Sequence, residues 1–130
     1  MPATYFSRTY DEALALLIEA RDYVLVAKDL DRSQQAPVQR LLHDRELLRI
    51  TARMTHVMAW LLYQRAAHSG EIPTEALREP LYRLGGAPVC ATDDSDSLRG
   101  LAPLPRSLSQ RSLDLYRRIA RLDAMVAAGP

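Results

Sequence analysis

The residues of this chain that could do chemistry are few and poorly placed for it. His43, His56 and His68 stand 13 and 12 residues apart. Neither interval matches the i, i+3 or i+4 separation that sets two metal ligands on one helical face. Cys90 has no second cysteine with which to form an internal disulfide, and Thr92 and Asp93 follow it closely. An acidic neighbour raises a thiol pKa, so the expectation is an exposed, unreactive thiol in a loop. No glycine-rich phosphate loop, nucleophile elbow or paired-cysteine motif occurs. The sequence therefore predicts no catalytic residue, no cofactor and no metal.

Charged groups at apolar positions are the next candidates. Arg21 and Lys28 fall in the apolar arc of a first helix and Arg65 in that of a second. Buried cations need partners. In one reading Arg21 pairs with Asp123, Asp44 or Glu46, while the long stems of Lys28 and Arg65 carry their charges to the ends of a bundle. In the other, the three cations line a carboxylate pocket of a small helical enzyme, as in all-helical chorismate mutases.

The richest stretch is Arg49 to Glu71, RITARMTHVMAWLLYQRAAHSGE. At about 100° per residue, Leu47, Thr51, Met54, Met58, Leu61 and Arg65 share one side of a helix. Arg49, Arg53, His56, Trp60 and Tyr63 share the other. Arg, Trp and Tyr are enriched at the centres of protein interfaces, so the second stripe is expected to face outward as a partner-docking or dimer surface. The competing expectation is that a later segment folds over the stripe and makes it core.

The elements that must position these residues are helical. A first helix is predicted to open at Thr9 and Glu12, in capping-box spacing, and to run to about Lys28 with Tyr10, Leu14, Leu17, Ala20, Tyr23, Val24 and Leu25 on its apolar arc. Asp29 to Ala36 is polar, and Pro37 suits the first turn of a second helix that continues to about Ser69. Gly70 is a natural left-handed cap, and Thr74 to Leu84 reads as a short helix limited by Pro80. Ala87 to Pro105 lacks a helical period and reads as a flexible linker carrying the acidic run Asp93, Asp94, Asp96. A last helix spans about Ser107 to Ala127, with Leu108, Leu115, Ile119, Leu122 and Val126 on its stripe and Arg117, Arg118 and Arg121 away from it. The predicted fold is an all-α, up-down helical bundle of three long helices and one short one, a single domain over residues 1–130.

Composition narrows the function further. The 130 residues are 48% hydrophobic and 25% charged, and 17 basic residues nearly balance 16 acidic ones. Such a chain has no strong field to draw it to nucleic acid. No apolar run approaches the roughly 18 residues of a membrane span, and MPATYFSRTYDE lacks the apolar core of a signal peptide. A cytoplasmic protein with neither nucleic-acid nor membrane partners is expected.

Two long segments then give a resemblance. RITARMTHVMAWLLYQRAAHSGEI, followed after a variable stretch by LAPLPRSLSQRSLDLYRRIARLD, resembles the signature segments of the RcdA family, the regulators of CtrA degradation of alphaproteobacteria. The first-helix segment YDEALALLIEARDYV is also similar, so the resemblance covers most of the chain. It implies a helical-bundle homodimer that acts as a non-enzymatic adaptor. In that role it helps the ClpXP protease receive particular substrates in cell-cycle control, together with a CpdR-like response regulator. Family members often carry a longer C-terminal extension, whereas this sequence stops soon after its RLD motif, which weakens any expectation of a tail-borne role.

Overall fold

The computed structural model describes residues 3–129, apart from the side chains of Ala3, Thr4, Ser95 and Ser97; Met1, Pro2 and Pro130 of the expected 1–130 domain lie outside. Three long helices dominate: α1 (Ala3–Val26), α3 (Pro37–His68) and α6 (Pro103–Ala128). Short helices α2 (Lys28–Ser33), α4 (Ala87–Cys90) and α5 (Ser95–Leu98) lie in the connections, with 3₁₀ turns at Thr74–Arg78 and Pro80–Tyr82. No strand occurs among the described residues. The predicted all-α bundle is what the chain forms.

Helix α1 begins six residues before the predicted cap. Thr9 sits inside it, its hydroxyl donating to the Tyr5 carbonyl one turn back at 2.9 Å, so the capping box does not form. Aromatic burial explains the early start. Phe6 packs edge-on to Trp60 at 6.2 Å, and Tyr5 packs edge-on to Phe6 at 5.9 Å, drawing this turn onto the core. The buried face of α1 is Phe6, Thr9, Ala13, Leu16, Ala20 and Tyr23. Of the predicted arc, Leu14, Val24 and Leu25 are exposed, because small Ala13 and Ala20 let α1 approach α3 along a neighbouring row.

Helix α3 starts and stops where the local chemistry says it should. Pro37 occupies its first turn, where a missing N–H costs nothing. At its end Gly70 adopts φ +83°, the left-handed conformation that glycine reaches without Cβ strain. The predicted short helix at Thr74–Leu84 is instead two 3₁₀ turns, since Pro80 cannot donate the hydrogen bond that would join them.

Cross-helix pairs give the directions of the long helices. Phe6 meets Trp60 and Tyr23 meets His43, so α1 and α3 are antiparallel. Glu46 meets Ser109 and Trp60 meets Asp123, so α3 and α6 run parallel. The up-down alternation expected throughout therefore holds for α1 and α3 only. Residues 69–102 must travel back along the bundle before α6 can begin.

That return path overturns the expected flexible linker at 87–105. Cys90 is fully buried, Leu98, Leu101 and Pro105 are also buried, and two helical turns form on the way. The segment crosses a groove already lined by α3 and α6, where a few apolar side chains and several arginine contacts suffice to hold it.

Candidate functional site

The stripe singled out in the sequence lies under this return segment. Arg53 and Trp60 are each 1% exposed and Arg49 is 8% exposed, while His56 and Tyr63 are half-buried. The expected outward face is thus interior, and its predicted exposure is corrected. The opposite stripe, expected to be core, buries Met54 and Leu61 but leaves Thr51 and Arg65 exposed and Leu47 and Met58 half-buried. The inversion has a simple cause. Helix α3 is covered by α1 along one row and by α6 with the return segment along another, so periodicity alone could not say which polar row would be covered.

Arg53 is the centre of the covered region. Its Nε donates to the Cys90 carbonyl at 2.8 Å and its Nη2 to the Thr92 carbonyl at 3.0 Å. Its Nη1 donates to the Ser109 carbonyl at 3.1 Å and to Ser112 Oγ at 3.0 Å, and lies 3.4 Å from Glu46 Oε1. One guanidinium therefore ties α3 to both α6 and the return segment, using the fixed fork that only arginine offers. Burial pulls the Arg53 pKa down, and Glu46 opposes that shift.

Glu46, 1% exposed, balances the charge. It accepts from Arg49 Nη1 at 2.9 Å, from Arg53 and from the Ser109 hydroxyl. Arg49 also reaches Asp94 at 3.0 Å, as does Arg45. Asp93 is held by Arg117 at 3.4 Å. The acidic run of the return segment is thus in part a set of anchors. Such a cluster is tolerable inside a protein because donors surround each carboxylate.

The remaining stripe residues form a second anchorage. Trp60 Nε1 donates to Asp123 Oδ1 at 3.0 Å. Asp123 also receives the Arg83 guanidinium at 3.0–3.1 Å and the Leu84 backbone N–H at 3.2 Å. Tyr63 packs edge-on to Tyr82 at 5.0 Å. His56 lies against the turn at Gly85 and Gly86; with φ at +82°, a Cβ on Gly86 would come within 2.5 Å of the His56 ring and 2.9 Å of the Cys90 sulfur. Tyr116 donates to the Gly85 carbonyl at 2.7 Å, and burial pushes its phenol pKa up to about 12.

Cys90 is therefore buried against this turn, where an exposed thiol had been expected. Its pKa is raised, chiefly by burial, with Arg53 and Arg49 pulling the other way. The three apolar-arc cations do not converge. Arg21 is exposed and pairs with its neighbour Asp22 at 3.0 Å, on an α1–α3 groove that contains neither Lys28 nor Arg65. Arg65 lines a different groove beside Phe6 and Tyr10. Asp123, Asp44 and Glu46, the proposed partners of Arg21, pair instead with Arg83, Arg32 and the Arg49–Arg53 pair. No carboxylate pocket is built from the three cations, so the enzyme reading loses its support.

One polar chain went unread in the sequence. His43 is fully buried and Tyr23 nearly so. The Tyr23 hydroxyl donates to Asp31 Oδ2 at 2.6 Å, which leaves its oxygen to accept from His43 Nε2–H at 2.7 Å. His43 Nδ1 is buried without a hydrogen-bond partner, and Asp44 Oδ1 lies 3.8 Å away. Burial lowers the His43 pKa, and the same cause, reinforced by Asp31, raises that of Tyr23. A polar His in an otherwise apolar register was the available signal. This chain holds α2, which buries no side chain of its own, against α1 and α3.

On the surface, α1 and α3 leave an apolar face on the side away from Arg53, with Arg21 and Arg65 among its few charged groups. Leu25 and Leu48 are each 73% exposed, and Leu14, Ile18 and Leu62 are also open. Thr51 and Thr55 lie between Leu48 and Leu62, and their hydroxyls donate back to the helix at 3.0 and 2.9 Å, leaving their methyls outward. No helix among the described residues is long and apolar enough to cross a membrane.

Comparison with known proteins agrees with the resemblance seen in the sequence. Residues 1–129 match the family described as Protein of unknown function (DUF1465). The fold is similar to the crystal structure of RcdA from Caulobacter crescentus, with a TM-score of 0.74 and 30% sequence identity, over 96% of this chain and 92% of that one. No curated protein matches this chain. With the family matched along nearly its whole length and the RcdA fold reproduced at that identity, the chain belongs to the DUF1465 family, the family of RcdA.

Proposed function

We propose that this protein is a non-enzymatic adaptor that promotes delivery of specific protein substrates to the ClpXP protease, in the cytoplasm and in cell-cycle control. The observation that carries the reading is the 30% identity to RcdA over 96% of the chain, in a fold of the same family. The chemistry of the site supports it. Its buried carboxylates, Glu46 and Asp123, are each surrounded by protein donors, and its one thiol is buried with a raised pKa. These groups hold surfaces in place and have no free valence for a substrate.

Two surfaces divide the work in this reading. The apolar α1–α3 face joins a second copy of the chain, because it exposes Leu14, Ile18, Leu25, Leu48 and Leu62 together and its Arg21 is neutralised by Asp22. Arg49, Arg53, His56, Trp60 and Tyr63 serve partner binding indirectly, by fixing the return segment whose outer side a CpdR-like response regulator or the protease would meet.

Reconstitution tests this. Purified ClpXP, a receiver-domain response regulator from the same source and a protein captured with the tagged chain are combined, with and without the adaptor. Degradation of the captured protein should accelerate saturably with adaptor, and only with the response regulator present. Unchanged degradation of every captured protein, together with no enrichment of ClpX or a response regulator in the capture, would overturn the proposal.

A further inference from the structure

At the end of the bundle where α1 begins and α3 and α6 finish, a cavity of about 390 Å³ opens between the helices and the first 3₁₀ turn. Phe6, Leu77, Met125 and Val126 form its apolar walls, and His68, Thr74 and Glu75 also line it. This volume falls in the roughly 300–1,000 Å³ range of small-ligand pockets, which characteristically combine apolar walls with a few fixed polar groups.

Two polar side chains lining this cavity, Gln64 and Arg78, lack a hydrogen-bonding or charged partner among the described residues. Gln64 is only 4% exposed, lines the cavity, and its Nε2 is buried with no hydrogen-bond partner. A carboxamide buried in this way costs stability unless something satisfies it. Leu or Met at position 64 would fill the same space without that penalty, so the amide is unexplained by packing. Arg78 lines the same cavity from the 3₁₀ turn, its guanidinium lying against Gly129, and it makes no ion pair among the described residues, although Glu75 lines the cavity one turn away. Arg83, Arg111 and Arg118 are by contrast paired, with Asp123, Glu19 and Glu12.

We infer that this cavity is a binding site for an amphiphilic carboxylate, with Arg78 pairing the carboxylate, the Gln64 amide supplying a hydrogen bond, and the apolar walls holding the attached chain. A guanidinium is suited to this because it binds a carboxylate by two parallel hydrogen bonds. A free carboxylic acid with an apolar tail and the C-terminal end of a polypeptide with an apolar last residue share this chemistry. Neither the ion-pair anchorage of Arg53 nor the α1–α3 face is involved, so the site is independent of the proposed adaptor surfaces.

Octanoate and a short peptide ending in Ala-Leu, free or C-terminally amidated, are the probes, with octanamide as the neutral control. Binding to the full chain is followed by the side-chain amide signal of residue 64 in ¹⁵N-resolved NMR and by calorimetry. Saturable shifts of that signal with a free carboxylate, and affinity at least about tenfold weaker for the matching amide, are expected. Saturation by octanoate alone assigns the site to free acids, and saturation by the peptide assigns it to chain ends. Arg78→Gln, at an exposed position, should keep the melting curve and weaken binding by about tenfold or more. Equal binding of acid and amide, unchanged affinity in Arg78→Gln, or no shift of the Gln64 signal at about 1 mM of either acid would overturn the inference.

Discussion

Replacing Arg53 by Met removes the hub of the buried network while keeping an unbranched apolar stem. The loss can be worked out bond by bond. Arg53 makes hydrogen bonds of 2.8, 3.0, 3.1 and 3.0 Å to Cys90 O, Thr92 O, Ser109 O and Ser112 Oγ. Ser112 Oγ keeps its own bond to the Ser109 carbonyl at 2.9 Å, and Glu46 keeps Arg49 and Ser109. The carboxylate is therefore not left bare, which puts the change near the lower end of the roughly 3–5 kcal/mol seen when one partner of a buried pair is removed. The two carbonyls of the return segment can recover water only if that segment lifts. Arg53→Met should thus cost about 3 kcal/mol, lowering the melting temperature on the order of 10 °C for a chain of this size. Amide protection around Cys90 and Leu101 should fall before that of α1 and α3, and the buried Cys90 thiol should react faster with a disulfide reagent than in the parent. A variant that melts within about 2 °C of the parent, with residues 90–101 still protected, would show that Arg53 does not anchor the segment and that the stripe is surface after all.

Three further outcomes follow from the same geometry. Trp60→Ala should destabilise by about 3–5 kcal/mol in thermal or urea melts, since an indole 1% exposed is lost from beside Phe6, while Asp123 stays satisfied by Arg83 and Leu84; a change below about 1 kcal/mol would contradict its core position. Because burial holds the folded-state pKa of His43 below 6.5, the unfolded chain binds more protons as the pH drops through that value; stability should fall from about pH 6.5 downwards, and His43→Gln should flatten this part of the urea-midpoint profile. If the α1–α3 face joins two copies, Leu48→Glu should leave the melt of α-helical signal nearly unchanged, Leu48 being 73% exposed, and should convert a dimer to a monomer by light scattering; a parent protein that is already monomeric at tens of micromolar would refute the dimer face.

The elements were legible from local chemistry. Pro37 and Gly70 bracket α3 because a proline's missing N–H and a glycine's left-handed φ act within one turn, whatever lies around them. The apolar stripe of α6 was equally plain, with Leu108, Leu115 and Ile119 buried as their spacing required. The long Arg-, Trp- and Tyr-containing segments also carried the family resemblance. What local chemistry did not hold was the direction of α6 and the path leading to it. A polar stretch such as 87–105 has no periodicity to announce that it packs, because its order comes from Arg53, Arg49 and Arg45 reaching across from residues some forty positions away. For the same reason the exposure of the Arg53–Trp60 row could not be read from its spacing. Periodicity says which residues share a face, and only the packing of α6 and the return segment decided that this face is inside.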